Sequence, residues 1–421
     1  MTTEENTVKE LYEPGEIPPL GHVPSHMYAA VIRPERYGPP SQSMKVETVP
    51  VPKAGRGQVV IMMMAAGVNY NGVWAGLGTP ADVIAARRKQ GDPDDFHIAG
   101  SEGSGVIWAI GEGVRQFKVG DHVIVGGVCW DESAPDIRLG TDPIASRSQR
   151  AWGYELNYGS FAQFTVADEY QCHLKPAHLT WEEAGCFLAG GSTSYRQLSG
   201  WAPNVVRPGD PVLIWGGSGS LGSMAIQIVR HFAGIPIAVV SDDAKAEYCL
   251  KLGAKGVINR REFTHWGRLP DSDDTEAYAA WLQGARAFGR AFWHALGERR
   301  SPRIVLEHPG ADTLPTSVYL CDHAGMVVTC AGTSGYNGDL DLRYLWMFQK
   351  RLQGSHAASV QETKAIIDLV GAGRVDPCLS STLPFRDIAH THQLVHENRH
   401  PAGNMAVLVN APAAGLTGLP L

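Results

Sequence analysis

Residues 212–261 constrain the fold more than any other part of the sequence. They begin with the apolar run 212–215, continue with the glycine-rich segment 217–222, and then show the apolar periodicity of a helix over residues 223–232. A second apolar run follows at residues 235–240. This succession of strand, glycine loop, helix and strand predicts a parallel βαβ unit of the Rossmann type.

The glycine loop predicts a binding site for the phosphates of a dinucleotide. Gly217 and Gly219 allow the backbone to turn tightly and to approach a pyrophosphate, and Gly222 allows the helix and the strand to pack closely. Ser220 and Leu221 lie at the helix N-terminus, whose free N–H groups favour an anion. A glycine-rich turn without a ligand is the alternative interpretation.

The end of the second strand bears on which dinucleotide binds. Ser241 ends this strand and Lys245 follows one helical turn later, and a hydroxyl with a cation suits the 2′-phosphate of NADPH. Asp242 and Asp243 favour the ribose diol of NAD instead. We interpret this mixed pattern as favouring NADPH, with Lys245 as an ordinary solvated helix lysine in the alternative interpretation.

Composition limits the remaining function classes. With 421 residues, 44% hydrophobic and 19% charged, the chain can bury a sizeable core and predicts two domains. A net charge of -7 offers no basic face for nucleic acid. Seven dispersed cysteines without a C-x-x-C motif indicate free thiols in a reducing compartment and no zinc module. Because we see neither a signal peptide nor a membrane-length apolar run, we expect a soluble, cytoplasmic protein.

The rest of the chain predicts an α/β fold with a β-rich domain beside the Rossmann unit. Residues 1–26 are dotted with prolines and indicate an extended arm. Residues 27–49 and 58–66 predict strands, residues 81–89 a short helix, and the glycine-separated segments of residues 100–123 a barrel-like β domain. The βα alternation then continues at residues 257–258, 304–306 and 326–328, before a helix at 361–371 and a strand at 405–409.

Short motifs along nearly the whole chain carry a family resemblance. The glycine signatures before a Rossmann half resemble the medium-chain dehydrogenase/reductase superfamily. More closely, the chain resembles the crotonyl-CoA carboxylase/reductase family in residues 69–74, 152–155, 213–216, 245–247, 307–310, 344–346 and 350–356. The resemblance implies an N-terminal arm and GroES-like catalytic domain (residues 1–187), a Rossmann NADPH-binding domain (188–355) and a C-terminal return to the catalytic domain (356–421).

The resemblance also implies a reaction. It is the NADPH-dependent reductive carboxylation of a 2-enoyl-CoA to an alkylmalonyl-CoA, with hydride added at C3 and CO2 at C2, in a homotetramer that supplies polyketide extender units. His308, in the motif at residues 307–310, joins the cofactor-binding residues. No metal is expected, because Asn69 and Ser101 stand where zinc members of the superfamily have a cysteine and a histidine.

The family's CO2 site matches four positions of this chain. They are Asn71, Tyr154, Glu155 and His356, where an asparagine amide, a backbone amide beside an aromatic ring, and a water held by glutamate and histidine retain CO2. Tyr154 replaces the more usual phenylalanine. Taken singly, Asn71 is a turn residue, Glu155 a surface carboxylate and His356 an ordinary histidine. Together, within matching motifs, they favour the CO2 site.

Other departures from the family predict a roomy acyl pocket. Ala357 stands where a phenylalanine is common, and Gly190 and Gly191 are smaller than the residues of some relatives. We therefore expect an acyl chain longer or bulkier than crotonyl, unless neighbouring side chains refill the space. A non-carboxylating enoyl-CoA or quinone reductase and a non-catalytic NADPH-binding sensor are the alternative functions.

Overall fold

The computed structural model describes residues 8–419, and the first seven residues of the predicted N-terminal arm lie outside this range. The chain forms two compact units. The first unit contains the residues up to Ala189, Ser359–Gly371 and the residues from Pro377 onwards, and the second contains Gly190–Ala358 and Ala372–Asp376. The family resemblance implies domain boundaries after residues 187 and 355, and the two units change within a few residues of these positions. Residues 372–376 differ, because they belong to the second unit.

The described residues form eighteen strands. Their bounds are β1 His26–Ile32, β2 Met44–Pro50, β3 Gln58–Gly67, β4 His97–Ile98, β5 Glu102–Ile110, β6 His122–Gly126, β7 Val128–Cys129, β8 Arg150–Ala151, β9 Phe164–Asp168, β10 Cys172–Leu174, β11 Pro211–Trp215, β12 Ile235–Val240, β13 Gly256–Asn259, β14 Ile304–Glu307, β15 Met326–Thr329, β16 Arg351–Gly354, β17 Leu379–Pro384 and β18 Asn404–Leu408.

The same residues form thirteen α-helices. Their bounds are α1 Pro40–Ser43, α2 Tyr70–Leu77, α3 Val83–Lys89, α4 Pro135–Arg138, α5 Trp181–Gly185, α6 Leu188–Ser199, α7 Ser220–His231, α8 Asp243–Leu252, α9 Thr275–Leu296, α10 Leu314–Leu320, α11 Leu342–Trp346, α12 Val360–Gly371 and α13 Ile388–His396.

The first unit is built around strand β3, which is buried over nearly its whole length. In the larger sheet the strand order is β10-β6-β5-β3-β18-β17, and the first residues of β3 also pair with β9. A smaller sheet has the order β2-β1-β4. The strands predicted over residues 27–49 are an antiparallel pair, β1 and β2, separated by a segment that contains Pro34, Pro39 and Pro40.

The second unit is a six-stranded parallel sheet with the order β13-β12-β11-β14-β15-β16. This order reverses between β11 and β14, as in a dinucleotide-binding Rossmann domain. Helix α9 packs Phe288 against β11, where the Phe288 and Trp215 rings stack with centroids 5.4 Å apart. Because the strands are parallel, the loops after β11, β12, β14 and β16 all leave the same edge of the sheet.

Candidate functional site

The glycine loop of the second unit is tightly packed at Gly222 and open at Gly219. A β-carbon on Gly222 would lie 2.4 Å from the carbonyl oxygen of Gly216, so the first turn of α7 packs directly on the loop backbone. A β-carbon on Gly219 would meet no atom closer than 3.5 Å. The missing side chain at Gly222 therefore serves packing, whereas the bare backbone at Gly219 leaves room for a phosphate.

Helix α7 begins at Ser220, three residues before the predicted start, because Gly219 already acts as its N-cap. The first bond of the helix runs from the Ser223 amide to the Gly219 carbonyl at 2.9 Å. The amides of residues 220–222 thus have no partner within the helix, as at any helix N-terminus. The Ser194 hydroxyl donates to the Leu221 carbonyl at 2.9 Å and holds this turn in place. The arrangement suits an anion.

Gly190 lies at a close contact between two helices. A β-carbon at this position would lie 2.3 Å from the Ser220 hydroxyl, so Gly190 is the point at which α6 packs closely against the first turn of α7. The small residue is explained by this helix contact, and the place of Gly190 in an acyl pocket stays a prediction. The prediction for Gly191 does not depend on this contact.

His308 covers the glycine loop from the neighbouring strand. Its Nε2 lies 3.2 Å from the Trp215 carbonyl oxygen, and a β-carbon on Gly216 would lie 2.4 Å from the same nitrogen. Burial lowers the pKa of His308 to about 4, so the ring is neutral and Nε2 donates its hydrogen to the carbonyl. The preceding Glu307 is fully buried and accepts hydrogen bonds from Thr313 Oγ1 (2.6 Å) and the Gly310 amide (3.1 Å).

The end of β12 carries a small polar cluster. Lys245 Nζ lies 3.2 Å from Ser241 Oγ and 3.5 Å from an Asp242 oxygen. Asp242 is the N-cap of α8, where it accepts the Lys245 amide at 2.9 Å, a bond that holds the pKa of this carboxyl below its ordinary value. The other Asp242 oxygen accepts from the Ser241 hydroxyl at 3.0 Å, so this carboxylate binds both the helix end and the neighbouring pair. Ser241 and Lys245 lie side by side as a hydroxyl and an ammonium group.

In the first unit, two asparagines at the start of α2 reach the start of β5. Asn71 Nδ2 donates to Ser101 Oγ at 3.4 Å, and Asn69 Nδ2 donates to Glu102 Oε1 at 2.5 Å. Burial raises the pKa of Glu102 to about 7, although hydrogen bonds from the Ala189 amide and Asn69 oppose the shift. Asn71 is half-buried, so its amide is partly shielded from water.

The loop with Tyr154 and Glu155 rests on the same segment. Gly153 has a φ of 68°, and a β-carbon there would lie 1.9 Å from the Gly100 carbonyl oxygen, so only glycine allows this approach. The Glu155 carboxylate accepts the Ala151 amide at 2.7 Å. The structure therefore places Asn71 against Ser101 and Gly153, the residue before Tyr154, against the adjacent Gly100.

The backbone amide of Tyr154 is weakly engaged. It shares the Ala151 carbonyl oxygen with two other amides, those of Glu155 at 2.9 Å and Leu156 at 3.1 Å, and its own distance is the longest, 3.3 Å. A carbonyl oxygen has two lone pairs, so a third donor is bound poorly. This amide can therefore turn to another acceptor at little cost.

His356 and Ala357 belong to the second unit, directly after β16. His356 is exposed, and Ala357 has a φ of 56°, in the left-handed region. Both leave the edge of the sheet that also carries the glycine loop and Ser241.

Sequence reasoning missed a histidine beneath Asn71. His392 of α13 is fully buried, its Nδ1 donates to the Ile388 carbonyl at 2.9 Å, and a β-carbon on Gly72 would lie 2.5 Å from its Nε2. Its ring also meets Phe161 edge-on at 4.8 Å. No local motif marks His392, because its partner Gly72 is more than three hundred residues away in the chain.

Two kinds of feature are absent from the described residues 8–419. No group of three His, Cys, Asp or Glu side chains could hold a metal ion there. Within the same range, no helix combines the length and the apolar character that a membrane span requires.

Comparisons with known proteins agree with this geometry. The alcohol dehydrogenase GroES-like domain matches residues 55–177 and the zinc-binding dehydrogenase domain matches residues 220–372, which confirms the predicted fold class. The crotonyl-CoA carboxylase/reductase of Cereibacter sphaeroides is 47% identical over 97% of this chain and 93% of its own.

Two solved structures extend the comparison. The crotonyl-CoA carboxylase/reductase AntE in complex with NADP is 63% identical, with a TM-score of 0.93 over 96% of this chain and 100% of its own. The 2-octenoyl-CoA carboxylase reductase CinF, in complex with NADP and 2-octenoyl-CoA, is 36% identical, with a TM-score of 0.86 over 94% of this chain and 90% of its own. Identity at this level over nearly the full length confirms the predicted resemblance: the chain belongs to the crotonyl-CoA carboxylase/reductase family.

Proposed function

We propose that this protein catalyses the NADPH-dependent reductive carboxylation of a 2-enoyl-CoA to an alkylmalonyl-CoA. The observation that carries the proposal is that Asn71 contacts Ser101 while Gly153, directly before Tyr154 and Glu155 in the chain, packs on the adjacent Gly100. At this place Asn69 and Ser101 provide an amide and a hydroxyl in place of zinc ligands. The names of the relatives, which are carboxylases as well as reductases, support the proposal.

The residues of the second unit fit NADPH. The open backbone at Gly219 and the free amides of α7 suit the pyrophosphate, while the Ser241 hydroxyl and the Lys245 ammonium group suit a 2′-phosphate. One Asp242 oxygen is bound at the end of α8 and the other accepts from Ser241, so the 2′-phosphate would replace Asp242 as the partner of Ser241 and Lys245. When bound, NADPH supplies the hydride for C3 of the enoyl thioester.

The residues of the first unit fit the capture of CO2 at C2. Reduction at C3 leaves an enolate whose C2 attacks the carbon of CO2, and the developing carboxylate needs hydrogen-bond donors. Asn71 has a second N–H beyond the one it gives to Ser101, and the Tyr154 amide is weakly held. Both donors can therefore act on the oxygens of CO2.

Water must be kept from the enolate, since a proton at C2 would end the reaction without carboxylation. We assign Glu155 and His356 to this task. Glu155 is held by the Ala151 amide through one oxygen and keeps its other oxygen for a fixed water. A water held in this way lies beside CO2 but is not free to transfer a proton to C2.

The acyl chain is proposed to be longer or bulkier than crotonyl, with the product serving as a polyketide extender unit. Ala357, next to His356, has only a methyl side chain, and Gly191 has none. An acyl chain bound near these two residues would therefore contact little side-chain volume. The relative CinF, named for 2-octenoyl-CoA, supports an eight-carbon substrate class. The homotetramer remains a prediction from the family.

The reaction itself is tested with NADPH, 13C-labelled bicarbonate and a ladder of enoyl-CoAs from four to eight carbons. We expect a product that contains one labelled carboxyl group, and the highest turnover on the longer chains. A product that has gained only hydrogen would identify a non-carboxylating reductase. Binding of NADPH without turnover on any member of the ladder would identify a sensor. Product masses distinguish these results.

Lys245→Ala tests the cofactor. A charge-assisted hydrogen bond to phosphate contributes about 1.5 to 3 kcal/mol, so the KM for NADPH should rise roughly ten- to a hundredfold while the KM for NADH changes little. Lys251→Ala is the matched control, because Lys251 lies on the same helix with a side chain that is 73% exposed. Equal losses for both cofactors in Lys245→Ala would contradict the assignment.

Glu155→Ala tests the separation of CO2 capture from hydride transfer. The variant should still oxidise NADPH, but its product should shift from carboxylated to simply reduced acyl-CoA, by about tenfold in ratio if one ordered water is lost. Product masses at saturating bicarbonate report the ratio. The exposed Glu112→Ala serves as the control. If hydride transfer disappeared and the carboxylated fraction stayed intact, Glu155 would belong to a different step.

Ala357→Phe tests the size of the acyl pocket. The ring should lower turnover on an eight-carbon enoyl-CoA far more than on the four-carbon one, because a clash costs about 1 to 3 kcal/mol. Ala357→Gly is the control, since glycine adds no bulk and tolerates the φ of 56°. Equal slowing on both substrates by Ala357→Phe would show a general disturbance and refute the roomy pocket.

A further inference from the structure

Glu102 is a buried carboxylate with neutral partners. Its side chain is 1% exposed, and its two oxygens accept from different parts of the first unit. Oε1 accepts from Asn69 Nδ2 at 2.5 Å, and Oε2 accepts from the Ala189 amide, at the start of α6, at 2.8 Å. Glu102 therefore links the start of α2 to the start of α6 through both of its oxygens.

Asn69 gives up a common role to make this contact. It is the N-cap residue of α2, with the extended φ of −127° that capping requires, yet its side chain makes no capping hydrogen bond. Asparagine is among the best N-cap residues, because its oxygen accepts an amide of the first turn. Here the amide group of Asn69 is directed to Glu102 instead, so the contact replaces a cap that the sequence could have formed.

The contact lies beside Asn71. Asn69 and Asn71 are separated by one residue, and their acceptors, Glu102 and Ser101, are consecutive in the chain. The two bonds form adjacent rungs between the same two segments. The Asn71 rung is long, at 3.4 Å, whereas the Asn69 rung is short, at 2.5 Å. The short rung therefore sets the separation at which Asn71 is held.

We propose that Glu102 and Asn69 are positioning residues, which act on CO2 through Asn71 by holding together two segments that carry metal ligands in zinc members of the superfamily. The inference rests on the proposed function, because Asn71 is assigned there to CO2. The pair holds the two segments by a single hydrogen bond to a carboxylate that is 1% exposed. The carboxylate is required because an amide oxygen and an amide nitrogen cannot both act as acceptors.

The test compares two variants of the full-length protein. Asn69→Ala removes the donor and leaves Asn71 and Ser101 unchanged. The double variant Asn69→Asp/Glu102→Gln exchanges the partners: the new carboxylate accepts from the new amide nitrogen, while the new amide oxygen keeps the bond to the Ala189 N–H. Each is assayed with NADPH and 13C-bicarbonate for NADPH oxidation and for the ratio of carboxylated to reduced product, after a thermal melt has established that it is folded.

We expect Asn69→Ala to lower the ratio of carboxylated to reduced product by about tenfold, with NADPH oxidation retained, and the exchanged pair to restore most of that ratio. An unchanged ratio in Asn69→Ala would overturn the proposal. So would equal losses of oxidation and carboxylation, or a folded exchanged pair as defective as Asn69→Ala. Failure of the proposed function is a separate result, since wild-type protein would then yield no labelled product.

Discussion

The approach of one backbone to another at Gly100 and Gly153 underlies the candidate CO2 site. The Gly100 carbonyl oxygen occupies the space that a side chain at position 153 would need, so the loop that follows can lie directly on the segment that precedes β5. Ser101 and Glu102 then face the start of α2. A side chain at position 153 would push this loop away from the segment that Asn71 contacts.

In each unit a buried glutamate holds the backbone beside candidate site residues. Glu102 holds the start of α2, and Glu307 holds the turn after β14 beside His308. Burial raises the pKa of each to about 7, and each is satisfied by neutral donors. A buried carboxylate is costly unless its oxygens are hydrogen-bonded, so these loops are held in the one arrangement that satisfies it.

The sequence predicts what depends on neighbours along the chain. The βαβ unit, the glycine loop and the terminal helix and strand follow from periodicity and spacing, and the structure contains them. Gly190, His392 and the bond from Asn69 to Glu102 depend on contacts between distant segments, which leave no local pattern. Gly190 illustrates the difficulty, because a small residue has the same appearance in a sequence whether it opens a pocket or lets two helices touch.

The backbone conformation at Ala357 limits which side chains can replace this alanine. With a φ of 56°, the position disfavours β-branched side chains, whose second γ-substituent crowds the left-handed backbone. Valine and isoleucine, the usual small steps up from alanine, are therefore the costliest replacements here. For the acyl pocket proposed at this position, a library should therefore leave out valine and isoleucine and vary length through side chains that are unbranched at the β-carbon.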